Sequence, residues 1–225
     1  MVENLARVPL LNQISYRMVN SKFPPVTLFD DVMDVEDFET AYALQALTNP
    51  RVLNELGDLT LIPTQSIPFG IKGVNYATAP FTHVNPEGSR FSDGSFGMLY
   101  LADTTETAIK ETRYHQERYF RNIDGLHYDT VDMRCLKVHF SAELIDVTTM
   151  NSVHVVDDYS AARVLGMQVK KSGEAGLQYC SVRNEGSLCW GLMSPIYVES
   201  VVQTQHFEFI FDGNKIAKVR ELAFK

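Results

Sequence analysis

The stretch Phe96-Gly-Met-Leu-Tyr-Leu-Ala-Asp-Thr-Thr-Glu-Thr-Ala-Ile-Lys-Glu111 changes character once, and that change decides the fold class. Phe96–Ala102 is a short apolar run of strand length. Asp103-Thr104-Thr105-Glu106 then supplies capping side chains and an acidic first turn, which predicts a helix running to about Tyr119. Downstream, strands are expected at Val131–Phe140, Leu144–Val147, Gln178–Arg183, Leu188–Leu192, Ser200–Phe211 and Lys215–Val219. One further helix is expected at Tyr159–Lys171, stopped by Ser172-Gly173. Strands with few helices between them do not make strict βαβ alternation. The expected class is therefore α+β with an antiparallel or mixed sheet.

Upstream, Ile14–Val19 reads as a strand that carries an unexpected charge at Arg17. A helix is expected over Asp34–Leu47, where Val35, Phe38, Tyr42 and Leu47 approximate one face. One or two more turns follow Pro50, through Leu56. Residues 57–96 carry four prolines and several glycines, and read as surface loops or short strands.

Composition narrows the function. The 225 residues include 20 Lys and Arg against 28 Asp and Glu, a net charge of -8. Such a chain is a poor general binder of nucleic acid, although a local basic pocket for an anion remains open. No apolar run approaches the length of a membrane span. Cys135, Cys180 and Cys189 are odd in number and not closely paired, so a disulfide framework is not expected. The six histidines show no metal-ligand spacing with them. The N-terminal residues lack the features of a signal peptide, and a cytoplasmic location is expected.

Three features carry candidate chemistry. Gly88-Ser-Arg90-Phe-Ser-Asp-Gly94 frames an arginine with glycines, so its guanidinium fork can meet phosphate or carboxylate. Read alone, it fits a solvent-exposed turn better, since loops are commonly polar. Tyr100 and Glu111 flank the strand-to-helix turn, and Glu111 shares a helix line with Ala108, Thr112 and His115. A carboxylate there can stabilise developing positive charge; the alternative is an exposed glutamate paired with a neighbouring base. In Gln178–Arg183, Ser181 and Arg183 would share one strand face, either as hydrogen-bonding groups or as an ordinary exposed polar face. Ser181 lacks the elbow motif of a hydrolase nucleophile. Trp190 is expected in the core.

In order, the chain shows Tyr16-Arg17, G-x-R-F-x-x-G at 88–94, G-x-L-Y-L-A at 97–102, T-A-I-x-E at 107–111, Y-x-S-V-R-x-x-G at 179–186 and Ser194-Pro195. This order resembles the RES domain family, named for its Arg, Glu and Ser. The resemblance implies an ADP-ribosyltransferase-like fold, with mixed or antiparallel sheets and flanking helices. It implies a single domain over 1–225 with an extra, mainly helical insertion at about 20–87. It implies a toxin of a type II toxin–antitoxin module, partnered by an Xre-like antitoxin, with a homo-oligomer left open. Its activity would be NAD+ consumption by hydrolysis or phosphorolysis, with NAD+ as substrate and no metal or further cofactor. Some members instead transfer ADP-ribose to a protein, and a non-enzymatic binding module on the same fold is a third reading. By position the resemblance assigns Glu111, Tyr100 and Ser181 to catalysis, and Arg17, Arg90 and Arg183 to substrate binding. The long segment between Arg17 and Arg90 departs from compact members, and Phe91-Ser92 stands where many have Trp-Asn.

Overall fold

A computed structural model describes residues 2–21 and 57–223. The helices expected over Asp34–Leu47 and after Pro50 lie outside the described residues. Seven strands form one mixed sheet: β1 (Arg7–Asn20), β2 (Leu99–Ala102), β3 (Asp129–Asp146), β4 (Gly176–Cys180), β5 (Leu188–Leu192), β6 (Val198–Phe211) and β7 (Ile216–Leu222). Their order is β1-β2-β5-β4-β3-β6-β7, and β1 also pairs with β3. The pairings β1–β2–β5–β4–β3–β1 thus close a circuit, with β6 and β7 extending it. Every pairing is antiparallel except β3–β4, which is parallel through Ile145↔Leu177 and Asp146↔Gln178. This is the α+β class with flanking helices that the strand-rich order predicts.

The period-two alternation of the strands divides the core between the two sheet faces. One face carries Met18, Ala102, Cys135, Tyr179 and Cys189, and packs against Ala108 of α2 (Thr105–Arg121) and Ala162, Leu165 and Val169 of α3 (Ser160–Lys171). The other carries Leu99, Leu101, Val138, Phe140, Trp190 and Leu192, and packs against Val74, Ala77 and Phe81 of α1 (Val74–Thr82). Trp190 is in this core, its indole N–H donating to Gln178 Oε1 at 3.0 Å.

Four expectations need correction. First, 57–96 is not all loop or strand, because it contains α1. Its buried positions Val74, Ala77, Thr78, Phe81 and Thr82 follow helical spacing, but Pro80 sits inside it and Gly73 at its N-cap makes no side-chain cap. Second, β3 is one strand of 18 residues where two were expected, since Ser141–Glu143 stay extended and β1 pairs along them. Third, β1 begins at Arg7 rather than Ile14, passing an irregularity between Leu10 and Gln13. Fourth, β4 ends at Cys180, so Ser181 and Arg183 do not share a strand face. Ser181 Oγ instead accepts the backbone N–H groups of Arg183 (3.2 Å) and Asn184 (3.0 Å). This hydroxyl-centred turn competes with the ladder and stops the strand.

Helix α3 meets the 88–94 loop at Gly166. A Cβ there would lie 1.8 Å from the Phe91 carbonyl oxygen. Glycine in a helix interior costs about 1 kcal/mol relative to alanine, and close approach of the loop accounts for its presence here. Gly166→Ala is therefore expected to destabilise the fold by about 1–3 kcal/mol despite alanine's better helix propensity. Chemical denaturation measures this; an unchanged midpoint would contradict the close packing.

Candidate functional site

Thr104 caps α2, its Oγ1 accepting the Thr107 N–H at 3.1 Å. The helix then lays one stripe of side chains, from Ala108 through Glu111 and His115 to Tyr119, along a cleft of about 720 Å³, and Ile123 just past its end continues it. The facing walls come from β1 at Tyr16–Met18, from β2, and from the loop around Arg90.

Glu111 and Ser181, 70 residues apart in sequence, meet at this cleft. Ser181 Oγ donates to Glu111 Oε1 at 2.6 Å. Because the same Oγ accepts two backbone N–H groups, its proton is directed at the carboxylate. The turn after β4 is riveted to α2: Asn184 Nδ2 donates to Thr107 Oγ1 at 2.8 Å, and Lys110 Nζ donates to Asn184 Oδ1 at 2.8 Å. On its other side, His154 Nε2 accepts the Cys180 N–H at 3.0 Å while Nδ1 faces the Met150 carbonyl at 2.9 Å. These partners select the neutral ring with its proton on Nδ1. Burial holds the His154 pKa below its ordinary value, with a smaller push from Arg90, against the opposing effect of the Met150 carbonyl.

Arg90 is not a surface-turn residue; it is only 8% exposed. Its Nη1 donates to the carbonyls of Val153 (3.1 Å) and Val155 (2.9 Å), and its guanidinium lies 4.5 Å from the centre of the Tyr159 ring. The loop that carries it is held by Tyr100, whose hydroxyl oxygen accepts the Phe91 N–H at 3.0 Å and pairs with Ser89 Oγ at 2.7 Å. Burial is the main cause that pushes the Tyr100 pKa up to about 12, so the phenol stays protonated. Gly88, at φ +79, lets the loop turn: a Cβ there would stand 2.4 Å from the Ser92 carbonyl oxygen.

Arg17 donates from Nη1 to the Tyr100 carbonyl at 3.1 Å. Burial lowers its pKa to about 10, which leaves it cationic at neutral pH. His115 opens onto the cleft, yet desolvation first, then Arg183, Arg90 and Arg118, lower its pKa to about 4. It is neutral at physiological pH and adds no charge to the wall.

The structure thus brings Arg17, Arg90, Tyr100 and Glu111 to one cleft, with Ser181 bonded to Glu111 from behind. Arg183 stands apart from the wall. Its guanidinium lies 3.5 Å from the centre of the Tyr114 ring and donates to the Val156 carbonyl at 3.0 Å. Sequence reasoning missed Arg163 of α3, which lines the cleft and donates to the carbonyls of Ser89 (3.0 Å) and Glu87 (2.8 Å). The interior glycine at 166 was the available signal that this helix meets a loop closely. In all, Arg17, Arg90, Arg118 and Arg163 face the cleft against Glu87 and Glu111, in a chain of net charge -8. A locally cationic cleft in an acidic protein is built for an anion.

Comparison with known proteins adds a lineage. The model of the RES domain matches residues 67–212. An uncharacterised protein of Sinorhizobium fredii (strain NBRC 101917 / NGR234), y4oC, is 28% identical over 203 residues, which cover 90% of this chain and 84% of that protein. A crystal structure of the M. tuberculosis MbcT–MbcA toxin–antitoxin complex is similar over 53% of this chain and 73% of that one, at 13% identity and a TM-score of 0.37. Among the described residues, no helix is long and apolar enough to cross a membrane.

Proposed function

The chain belongs to the RES domain family, and from that premise we propose that it cleaves the nicotinamide–ribose bond of NAD+, passing the ADP-ribosyl group to water or phosphate. The observation that carries this reading is the Glu111 carboxylate, oriented by Ser181, on the wall of a cleft whose other charges are mainly arginines. NAD+ is an anionic dinucleotide whose scissile bond joins a cationic ring to a sugar. As that bond lengthens, its electron pair moves to the nicotinamide nitrogen, which leaves neutral. The ribose gains oxocarbenium character, as in glycoside cleavage. Glu111 stabilises that charge, and the Ser181 hydroxyl fixes which way the carboxylate points. Water then adds to the anomeric carbon and releases a proton, or phosphate adds in its place. Arg90 and Arg17 hold the diphosphate, and the Tyr100 ring offers a face for nicotinamide. The phenol of Tyr100 is already used to clamp the 89–91 loop, so its part is positional.

In the cell this activity would make the protein a growth-arresting toxin in the cytoplasm, restrained by an Xre-like antitoxin. The test is incubation of purified protein with NAD+ alone, in buffer with and without inorganic phosphate. Nicotinamide release is expected in at least one of the two. ADP-ribose identifies water as the acceptor, and a phosphorylated ADP-ribose identifies phosphate. Nicotinamide appearing only when a protein acceptor is added would overturn the reading in favour of ADP-ribosyl transfer.

A further inference from the structure

We propose that Tyr119 and Ile123, on the last turns of α2 and beyond its end, form the platform on which the adenine end of the dinucleotide stacks; this rests on the NAD+ reading of the same cleft. The cleft-facing stripe of α2 presents, in order, Glu111, His115, Arg118 and Tyr119, and Asn122 and Ile123 continue the wall just past its end. Positions three and four apart on a helix lie above one another, so this order in sequence is an order in space. Tyr119 stands about 12 Å further along the helix axis than Glu111. The stripe therefore runs from a carboxylate to a guanidinium beside an aromatic side chain, with Arg17 and Arg90 lining the same cleft. An extended dinucleotide presents its parts in the same order: reacting ribose, diphosphate, base.

Two facts separate this end of the stripe from an ordinary solvated helix terminus. Tyr119 is 62% exposed and Ile123 39% exposed, at the end of a stripe whose preceding cleft-facing members from Glu111 to Arg118 are charged or polar. Neither contributes to the core. The backbone beneath them is nevertheless anchored: Phe120 is buried with its ring 5.1 Å from that of Phe211, and Arg121 Nε donates to the Asn214 carbonyl at 2.6 Å. An exposed aromatic on a fixed backbone is a stacking surface for which only the side chain has freedom to lose when a base settles on it. Asn122, just past the end of the helix, brings an amide of the kind that pairs with the N6 and N7 edge of adenine.

The experiment uses the full chain carrying Glu111→Gln, so that NAD+ is not consumed. Titration calorimetry compares NAD+, ADP-ribose and nicotinamide mononucleotide, the last of which has no adenine. Tyr119→Ala is expected to weaken NAD+ and ADP-ribose about tenfold or more, the usual loss for removing a base-stacking ring, and to leave nicotinamide mononucleotide unchanged. Tyr119→Phe is expected to bind all three like the parent, because stacking needs the ring and not the hydroxyl. Tyr119 is exposed, so the melting temperature should not move. Tyr119→Ala binding ADP-ribose like the parent would overturn the platform alone. Equal losses for all three ligands would also overturn it, as a general disturbance of α2. A parent that binds none of them would overturn the NAD+ reading along with it.

Discussion

Glu111→Gln is expected to lower kcat for nicotinamide release by on the order of a hundredfold or more, with little change in KM. Glutamine keeps the size of the side chain and an oxygen that can still accept the Ser181 hydroxyl 2.6 Å away in the parent. The site should therefore keep its shape, and only the negative charge is lost. A charge that matters chiefly when the ribose becomes cationic acts in the transition state, which is why the loss should fall on kcat. Steady-state assay of nicotinamide release measures both constants. A kcat near that of the parent would remove Glu111 from the chemistry, whatever its position in the cleft.

The second large effect is expected at Arg90. Arg90→Ala should weaken NAD+ binding by on the order of ten- to a hundredfold, the usual range for losing charge-assisted hydrogen bonds. Arg90→Lys should restore only part of the loss, because lysine keeps the charge without the planar fork. In this protein the fork has a further task. Its Nη1 already bridges the Val153 and Val155 carbonyls, and its plane stands over Tyr159. Both variants should therefore also melt at a lower temperature than the parent. Titration of NAD+ on the Glu111→Gln background, well below each variant's melting temperature, separates the two effects. A folded Arg90→Ala protein that binds NAD+ like the parent would leave Arg90 a purely structural anchor.

The strand-to-helix turn at 96–111 was legible because each signal is local: an apolar run, then Thr104 as cap, then an acidic first turn. Glu111 and Ser181 could be assigned one by one through family order, but their contact could not be read. It depends on β4 stopping at Cys180, and that stop is made by a side chain bonding backbone just beyond the strand. The same local competition explains why Ser181 and Arg183 were expected on one strand face and instead point to different surroundings. Arg90 was ambiguous for another reason. Glycines on both sides fit a surface turn, and the elements that bury it, α3 and the segment around Val153, lie more than sixty residues away. Helix α1 was hidden by Pro80, which reads as a breaker although the apolar spacing around it is helical. Caps and hydrophobic runs thus carried through, whereas a side chain competing with the strand ladder, a proline inside a helix and contacts with distant elements did not.

The most direct test of where the reaction happens is a crystal structure of the Glu111→Gln protein soaked with NAD+. The anomeric carbon of the nicotinamide ribose is expected to face residue 111, with Ser181 behind it, the diphosphate against Arg17 and Arg90, and nicotinamide beside Tyr100. A dinucleotide bound with its scissile bond turned away from residue 111, or lodged outside the α2 cleft altogether, would contradict it.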